Sequence, residues 1–345
     1  MKVVITGATG NVGTALLRSL RAENWDVVGL ARRPAADPGV HWVRCDIGDP
    51  AAMPILTRAF AGADAVVHLA WAVQPRVTDP PLRRTNHLGS ANVLRAAAAC
   101  GVTHLTCASS VAAYTPAPRW QRVDEQSPLD GMPHSAYSRG KAALEAQIDA
   151  FALAHPAMRI ARIRPCAIAQ ETAAAELADW TLSRWLPRNL LGHRLLPVPL
   201  WRDLRLQFVH AHDVAAALRL IVLQQATGAF NVAAEPVVPA RTLAGIFGGF
   251  RLPMPLPVLT AAAAASWRMG LQPLHSGWFT LADQACLADT GRARRELGWS
   301  PKYDALDVAA ELAAGMRAGR CGTSPALAPP AAPIRFGTPT HQSQV

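Results

Sequence analysis

A glycine-broken turn within the first twenty residues restricts this chain more than any other stretch. Val3-Val4-Ile5 is a short apolar, β-branched run of the kind that forms a strand buried on both faces. Thr6-Gly7-Ala8-Thr9-Gly10-Asn11-Val12-Gly13 follows, and Ala15 to Leu20 has helical spacing. Strand, glycine turn and helix in that order predict the first βα unit of a dinucleotide-binding sheet. Gly7 permits the tight turn, Gly10 lets the main chain approach a pyrophosphate, and Gly13 lets the helix pack close to the strand. Amides at the helix start, from Thr9 through Asn11 and Val12, then point at the anion with the helix dipole behind them. The spacing is G-x-x-G-x-x-G rather than G-x-G-x-x-G. The competing reading is a glycine-rich turn that binds nothing.

The next elements extend the same pattern. Trp25 to Leu30 reads as the second strand and runs into Ala31-Arg32-Arg33. An acid at this place would take the ribose hydroxyls of NAD, whereas an arginine accommodates a 2′-phosphate. No carboxylate occurs until Asp37, so Arg32 and Arg33 favour NADP(H), with NAD(H) as the alternative. The bland reading is two solvated arginines in a surface loop. His41 to Ile47 reads as the third strand, with Asp46 and Ile47 at its carboxyl end. Asp46 is placed either to accept from an adenine amino group or to cap the helix after Pro50. Ala65 to Ala70 is the fourth strand. It ends in Leu69 and Ala70, small enough to leave room for the nicotinamide-side ribose, and His68 within it reads as a packed core residue. A long helix, Leu82 to Cys100, carries Asn86. The fifth strand, His104 to Ala108, ends in Ser109-Ser110; a helix from about Ser135 to Ala154 and a sixth strand, Arg159 to Ile163, lead to Arg164-Pro165. This alternation predicts an α/β fold, a Rossmann-type doubly wound parallel sheet.

At 345 residues the chain exceeds one typical domain. The pattern change after Pro165 divides it into a nucleotide-binding domain, 1–165, and a smaller, mostly helical substrate region, 166–318. Segments at about 204–235 are expected to return to the first domain. The tail 319–345, rich in proline, alanine and small polar residues, is expected to be disordered. The net charge of +10 comes mostly from scattered arginines with no basic run, which argues against nucleic acid and for anionic ligands. Strand one begins at residue 2, leaving no room for a signal peptide, and the six cysteines show no C-x-x-C or zinc spacing. A reduced, cytoplasmic protein without a metal is the expectation. Leu252 to Gly270 is apolar but too short and too proline-rich to span a membrane. It reads as a buried or cleft-lining helix.

Tyr137 and Lys141 lie four apart on a predicted helix and share a face. An ammonium beside a phenol favours the phenolate and lowers its pKa, and such a phenol can exchange a proton with an alcohol or carbonyl. A serine hydroxyl at the neighbouring strand end can bond the same substrate oxygen; Ser110 is better placed in sequence than Ser109. A bare Y-x-x-x-K is weak. Its position after a glycine turn and a strand-end serine, and before a strand ending Arg-Pro, makes it specific.

With these residues in order, the sequence resembles the extended branch of the short-chain dehydrogenase/reductase superfamily, which includes NAD-dependent epimerases and dehydratases. The matching pieces are TGATGNVG (6–13), HLA (68–70), NHLGSANVL (86–94), SSVAAY (109–114), YSRGK (137–141), RP (164–165), FVHAHDVAAAL (208–218), GAFNVA (228–233) and RRELGWSPKY (294–303). They cover the chain to about residue 317. The resemblance implies that Tyr137 is the acid/base, that Lys141 lowers its pKa and holds the nicotinamide ribose, and that Ser110 is the catalytic serine. It also places Asn86, Arg164 and Pro165 among the cofactor contacts, and gives Asp213 a structural part near the cleft. Two departures from the nucleotide-sugar members stand out. The acid after the second strand is missing, and Cys166-Ala167-Ile168-Ala169-Gln170 replaces a glycine-bearing V-Y-G-P. Together with a tryptophan-rich second half, they favour releasable NADPH and a small-molecule substrate less polar than a nucleotide sugar. The leading expectation is an NAD(P)-dependent oxidoreductase. The alternatives are a nucleotide-sugar epimerase/dehydratase and a non-catalytic NADP sensor. Homodimerisation, common in the family, is left open by the sequence.

Overall fold

Seven short apolar strands form one parallel sheet: β1 (Lys2–Thr6), β2 (Asp26–Ala31), β3 (His41–Arg44), β4 (Ala65–His68), β5 (His104–Ala108), β6 (Arg159–Pro165) and β7 (Gly228–Val232). Their spatial order is β3-β2-β1-β4-β5-β6-β7. The structure is a computed structural model that describes residues 1–73, 83–183 and 185–328. Helices cover both faces, as the doubly wound expectation requires. The period of two in β1 sorts its side chains between them. Val3 and Ile5 face a cluster that includes Leu16 of α1 (Asn11–Leu20), whereas Val4 faces one that includes Leu56 of α2 (Ala52–Phe60) and Leu94 of α3 (Ser90–Ala99). Strand order reverses between β1 and β4, so a crevice opens at the carboxyl ends of these strands, where ligands bind in such sheets. The helix α4 (Ala136–Ala154) runs beside that crevice.

A further core lies in the C-terminal half. Trp201, Leu204, Phe208 and Leu243 pack there with Val308, Leu312 and Met316 of the helix Ala305–Ala318. No helix among the described residues is long and apolar enough to cross a membrane.

Several expectations change in detail. The third strand stops at Arg44 because the chain turns at Asp46, whose Oδ1 accepts from the Gly48 amide at 3.1 Å. The single helix expected over Leu82 to Cys100 is a π-helical stretch, Arg83–Gly89, followed by α3; Leu82 lies outside the described residues. The apolar segment 252–270 is not a buried helix. It comprises the end of a short strand, Phe250–Pro253, and the helix Leu256–Arg268, in which only Leu259 and Ala263 are buried. The tail is ordered at its beginning. Ser324 and Leu327 are buried, and the Ser324 hydroxyl donates to the Thr9 carbonyl at 2.7 Å. Residues 329–345 lie outside the described residues.

Candidate active site

The three glycines of the turn do different physical work. Gly7 has φ +72°, and a Cβ there would sit 2.7 Å from the Ala70 nitrogen. A Cβ on Gly13 would sit 2.4 Å from the Gly7 carbonyl oxygen, so Gly13 lets α1 close on the turn itself. Gly10 is different. It caps α1 in extended backbone, and a Cβ there would meet only the Gly7 oxygen, at 3.4 Å. The fold therefore requires Gly7 and Gly13 but not Gly10, whose open side faces away from protein packing. No side chain caps the amides that begin α1, so they keep the unsatisfied donors of a helix start. Val12 packs against the core, and Asn11 is held from outside: Gln170 Nε2 donates to its backbone oxygen at 2.9 Å and its side-chain oxygen at 2.7 Å. This cradle fits a dinucleotide pyrophosphate.

On the β2 side, Arg32 and Arg33 are exposed, and among the described residues no carboxylate pairs with either. Asp37 instead pairs with Arg21 at 3.0 Å. Asp46 holds Arg84 at 2.7 Å. It does not cap α2, where the Ala51 amide donates to Asp49, so the capping alternative is set aside. Ile47 is buried where a Cβ on Gly89 would collide with it at 2.7 Å.

At the end of β4 the Leu69 amide donates to the Thr6 carbonyl at 3.1 Å and the Ala70 amide to Thr6 Oγ1 at 3.3 Å. His68 lies between Thr6 Oγ1, 2.7 Å from Nδ1, and Ser90 Oγ, 2.9 Å from Nε2. Burial pushes its pKa down to about 3, which keeps the ring neutral in the core. Asn86 reaches this strand end indirectly. Its oxygen accepts from the Ala72 amide at 2.7 Å and its Nδ2 donates to the Ala72 carbonyl at 2.9 Å. Its side chain thus positions the segment after Ala70.

Ser110, Tyr137 and Lys141, the residues expected to react, lie near the end of β5. Ser110 Oγ accepts from the Ala112 amide at 3.1 Å and donates to the Pro165 carbonyl at 3.4 Å. Tyr137, half-buried in the first turn of α4, feels the Ser110 hydroxyl, which by itself would lower the phenol's pKa. Lys141 Nζ donates to the Ala108 carbonyl at 2.8 Å, lies 3.7 Å from the centre of the Trp71 ring, and stands 6.0 Å from the centre of the Tyr137 ring. Burial lowers the Lys141 ammonium to about 7, against the opposing pull of Glu145. Tyr137 differs from expectation. Its pKa is raised, because burial outweighs the Ser110 hydrogen bond, and the Lys141 charge is directed to Ala108 and Trp71. The phenol therefore holds its proton more tightly than an exposed tyrosine does. Trp278, from the helix Gly277–Gln284, lies over it with ring centres 5.4 Å apart and planes at 31°.

Arg164 has a different task from the one expected. Its Nε and Nη2 form a fork on Glu145 at 2.8 and 3.1 Å, and Nη1 donates to Tyr114 Oη at 2.8 Å and to the Glu125 carbonyl at 3.1 Å. Four of its donors are thus consumed inside the protein. It locks α4 to β6 and does not face a cofactor. Asp213 accepts from the Lys302 and Tyr303 amides at 2.9 and 3.2 Å, as a structural residue does. Sequence reasoning missed Glu145, although it repeats the i+4 spacing of Tyr137 and Lys141. It also missed Trp71, Gln170, Trp278 and Ser324; the last three reach the site from distant segments without a local signal.

The sequence pattern of the family described as "NAD dependent epimerase/dehydratase family" matches residues 3–233. The chain belongs to this family. A similar curated protein is a 3-diazoavenalumate denitrifying reductase of Streptomyces sp, 28% identical over 317 residues, 88% of this chain and 97% of that protein. A ceramide reductase of Caulobacter vibrioides is 30% identical over 221 residues, 63% of this chain and 59% of that protein. Mycobacterial relatives such as one from Mycobacterium bovis are 26% identical over 329 residues, and the match spans only 31% of their length. Among solved structures, a UDP-glucose 4-epimerase of Thermus thermophilus in complex with NAD covers 92% of this chain and 99% of its own, at 22% identity and TM-score 0.67. That likeness shows a common fold. The family is one of NAD-dependent enzymes.

Proposed function

We propose that this family member is an NADP(H)-dependent reductase of a carbonyl in a small, weakly polar substrate. The observation that carries the reading is the convergence of Ser110, Tyr137 and Lys141 at the end of β5, beside a glycine turn with room for a pyrophosphate. NADPH would lie on the amides at the start of α1, with its 2′-phosphate against Arg32 and Arg33, and when bound it supplies the hydride. The chain's own groups do the rest. Ser110 Oγ polarises the carbonyl oxygen, and Tyr137 Oη donates the proton that converts it to a hydroxyl. Burial raises the pKa of Tyr137, so the phenol holds its proton until a substrate oxygen takes it. Lys141, with its Nζ committed to the Ala108 carbonyl and the Trp71 ring, fixes the face of α4 that carries Tyr137. Trp278 and Trp71 flank the reacting groups with apolar surface. Two of the similar curated proteins are named as reductases, in line with this reading.

The test is to identify by mass spectrometry any nucleotide that copurifies, then to screen carbonyl compounds with NADPH and NADH. The expected result is releasable NADPH and its consumption by an apolar ketone or aldehyde. Tightly retained NAD with interconversion of UDP-sugars would overturn the proposal.

A further inference from the structure

The surface of the C-terminal half carries an unusual pairing of apolar exposure and charge. Trp185, Leu195 and Met269 are 66%, 68% and 65% exposed, and Phe250, Leu252 and Leu271 are also exposed. They come from two stretches that lack carboxylates altogether: no Asp or Glu occurs between Asp179 and Asp203, or between Glu235 and Asp283. The fold joins these stretches. The strand Phe250–Pro253 pairs in parallel with Pro197–Leu200, and the Ser183 hydroxyl donates to the Leu271 carbonyl at 2.9 Å. The same stretches carry Arg188, which pairs with Asp179 at 2.6 Å, and Arg194, Arg202, Arg241, Arg251 and Arg268, with none of which a carboxylate pairs among the described residues.

Singly exposed apolar residues are ordinary, but apolar residues gathered among unpaired cations need a reason. We propose that this face docks on an anionic lipid bilayer. Leucine, methionine and the aromatic rings would enter the boundary between headgroups and acyl chains, and the arginines would meet lipid phosphates. The charge pattern also argues against a second copy of the chain. A two-fold contact through this face would set Arg194, Arg241, Arg251 and Arg268 against their copies, with carboxylates only at its borders, Asp179 and Asp203. The chain runs on from this face to the site. The helix Leu256–Arg268 leads to the helix Gly277–Gln284, which lays Trp278 over Tyr137, so the docked protein would open its site beside the membrane surface. This inference concerns where the protein binds and does not depend on the reaction proposed above.

The test is cosedimentation of the full chain with vesicles of phosphatidylcholine or of phosphatidylglycerol, at low and high salt. Binding to phosphatidylglycerol, loss of binding in salt, and none to phosphatidylcholine are expected. Leu195→Glu with Met269→Glu, and separately Arg251→Glu with Arg268→Glu, should each lower partitioning by about 10-fold or more while leaving NADPH affinity unchanged. Should a variant fail to fold, quenching of wild-type tryptophan fluorescence by brominated phosphatidylglycerol reads the same contact. Absence of binding to the anionic vesicles, absence of quenching, or equal binding by folded variants would overturn the inference. A wild-type dimer that either variant converts to a monomer would assign the face to a second copy instead.

Discussion

Alanine placed in turn at Gly7, Gly10 and Gly13 should separate what the fold needs from what a cofactor needs. At Gly7 the new side chain meets two penalties. The φ of +72° is left-handed backbone, costing about 1–2 kcal/mol for a side chain. A Cβ 2.7 Å from the Ala70 nitrogen adds an overpacking cost of about 1–3 kcal/mol, because main chain cannot rotate away. The expected loss is roughly 2–5 kcal/mol. At Gly13 the clash is closer, 2.4 Å to the Gly7 oxygen and 2.7 Å to the Ala8 main chain, so the loss should be at least about 1–3 kcal/mol even after alanine regains about 1 kcal/mol of helix propensity. At Gly10 the contact is an ordinary 3.4 Å, so the fold should lose less than about 1 kcal/mol, mainly from the altered cap. NADPH affinity should nonetheless fall about 10-fold or more in Gly10→Ala, the equivalent of about 1.4 kcal/mol, because the methyl group fills the approach to the amides. Urea denaturation and calorimetry on the same samples give both numbers. Wild-type NADPH affinity in Gly10→Ala, or destabilisation equal to that of Gly7→Ala, would refute the assignment.

Arg32→Ala should weaken NADPH by roughly 10- to 100-fold and leave NADH nearly unchanged, since a charge-assisted contact to phosphate contributes about 1.5–3 kcal/mol; equal NADH and NADPH affinities in the wild type would contradict it. Glu145→Gln should destabilise the fold by about 3–5 kcal/mol in denaturant titration, because it leaves the buried Arg164 guanidinium without its counter-charge. Lys141 titrates at about 7 in the folded chain against 10.5 unfolded, so the unfolded state holds the extra proton between those values. Its contribution to stability should therefore grow as pH rises from 7 and be absent from Lys141→Met; parallel pH profiles of the two proteins would expose an error.

The parts legible in the sequence were those fixed by near neighbours. The β1 run, the glycine turn and the period of the flanking helices each declare themselves within a dozen residues, and the sheet follows from their alternation. Tyr137 and Lys141 were legible for the same reason, being one helical turn apart. Contacts between distant segments were not. Arg164 looks like a strand-end residue facing the cleft, yet Glu145 and Tyr114 take its donors inside. Asn86 and Lys141 have their polar ends drawn to main-chain carbonyls that no local pattern reveals. The apolar composition of 252–270 suggests a buried or cleft-lining helix, but composition does not say how far a covering layer extends; within the helix only Leu259 and Ala263 are fully buried, with Leu256 partly covered by the C-terminal core.

The most direct test of the proposed chemistry is a paired measurement on Tyr137→Phe: NADPH affinity, and single-turnover hydride transfer to the carbonyl compound found in the screen. The substitution keeps the ring against Trp278 and removes only the phenolic proton. Affinity for NADPH should stay at the wild-type value while transfer falls by about 10²–10⁴-fold. Transfer at the wild-type rate would show that Tyr137 is not the acid.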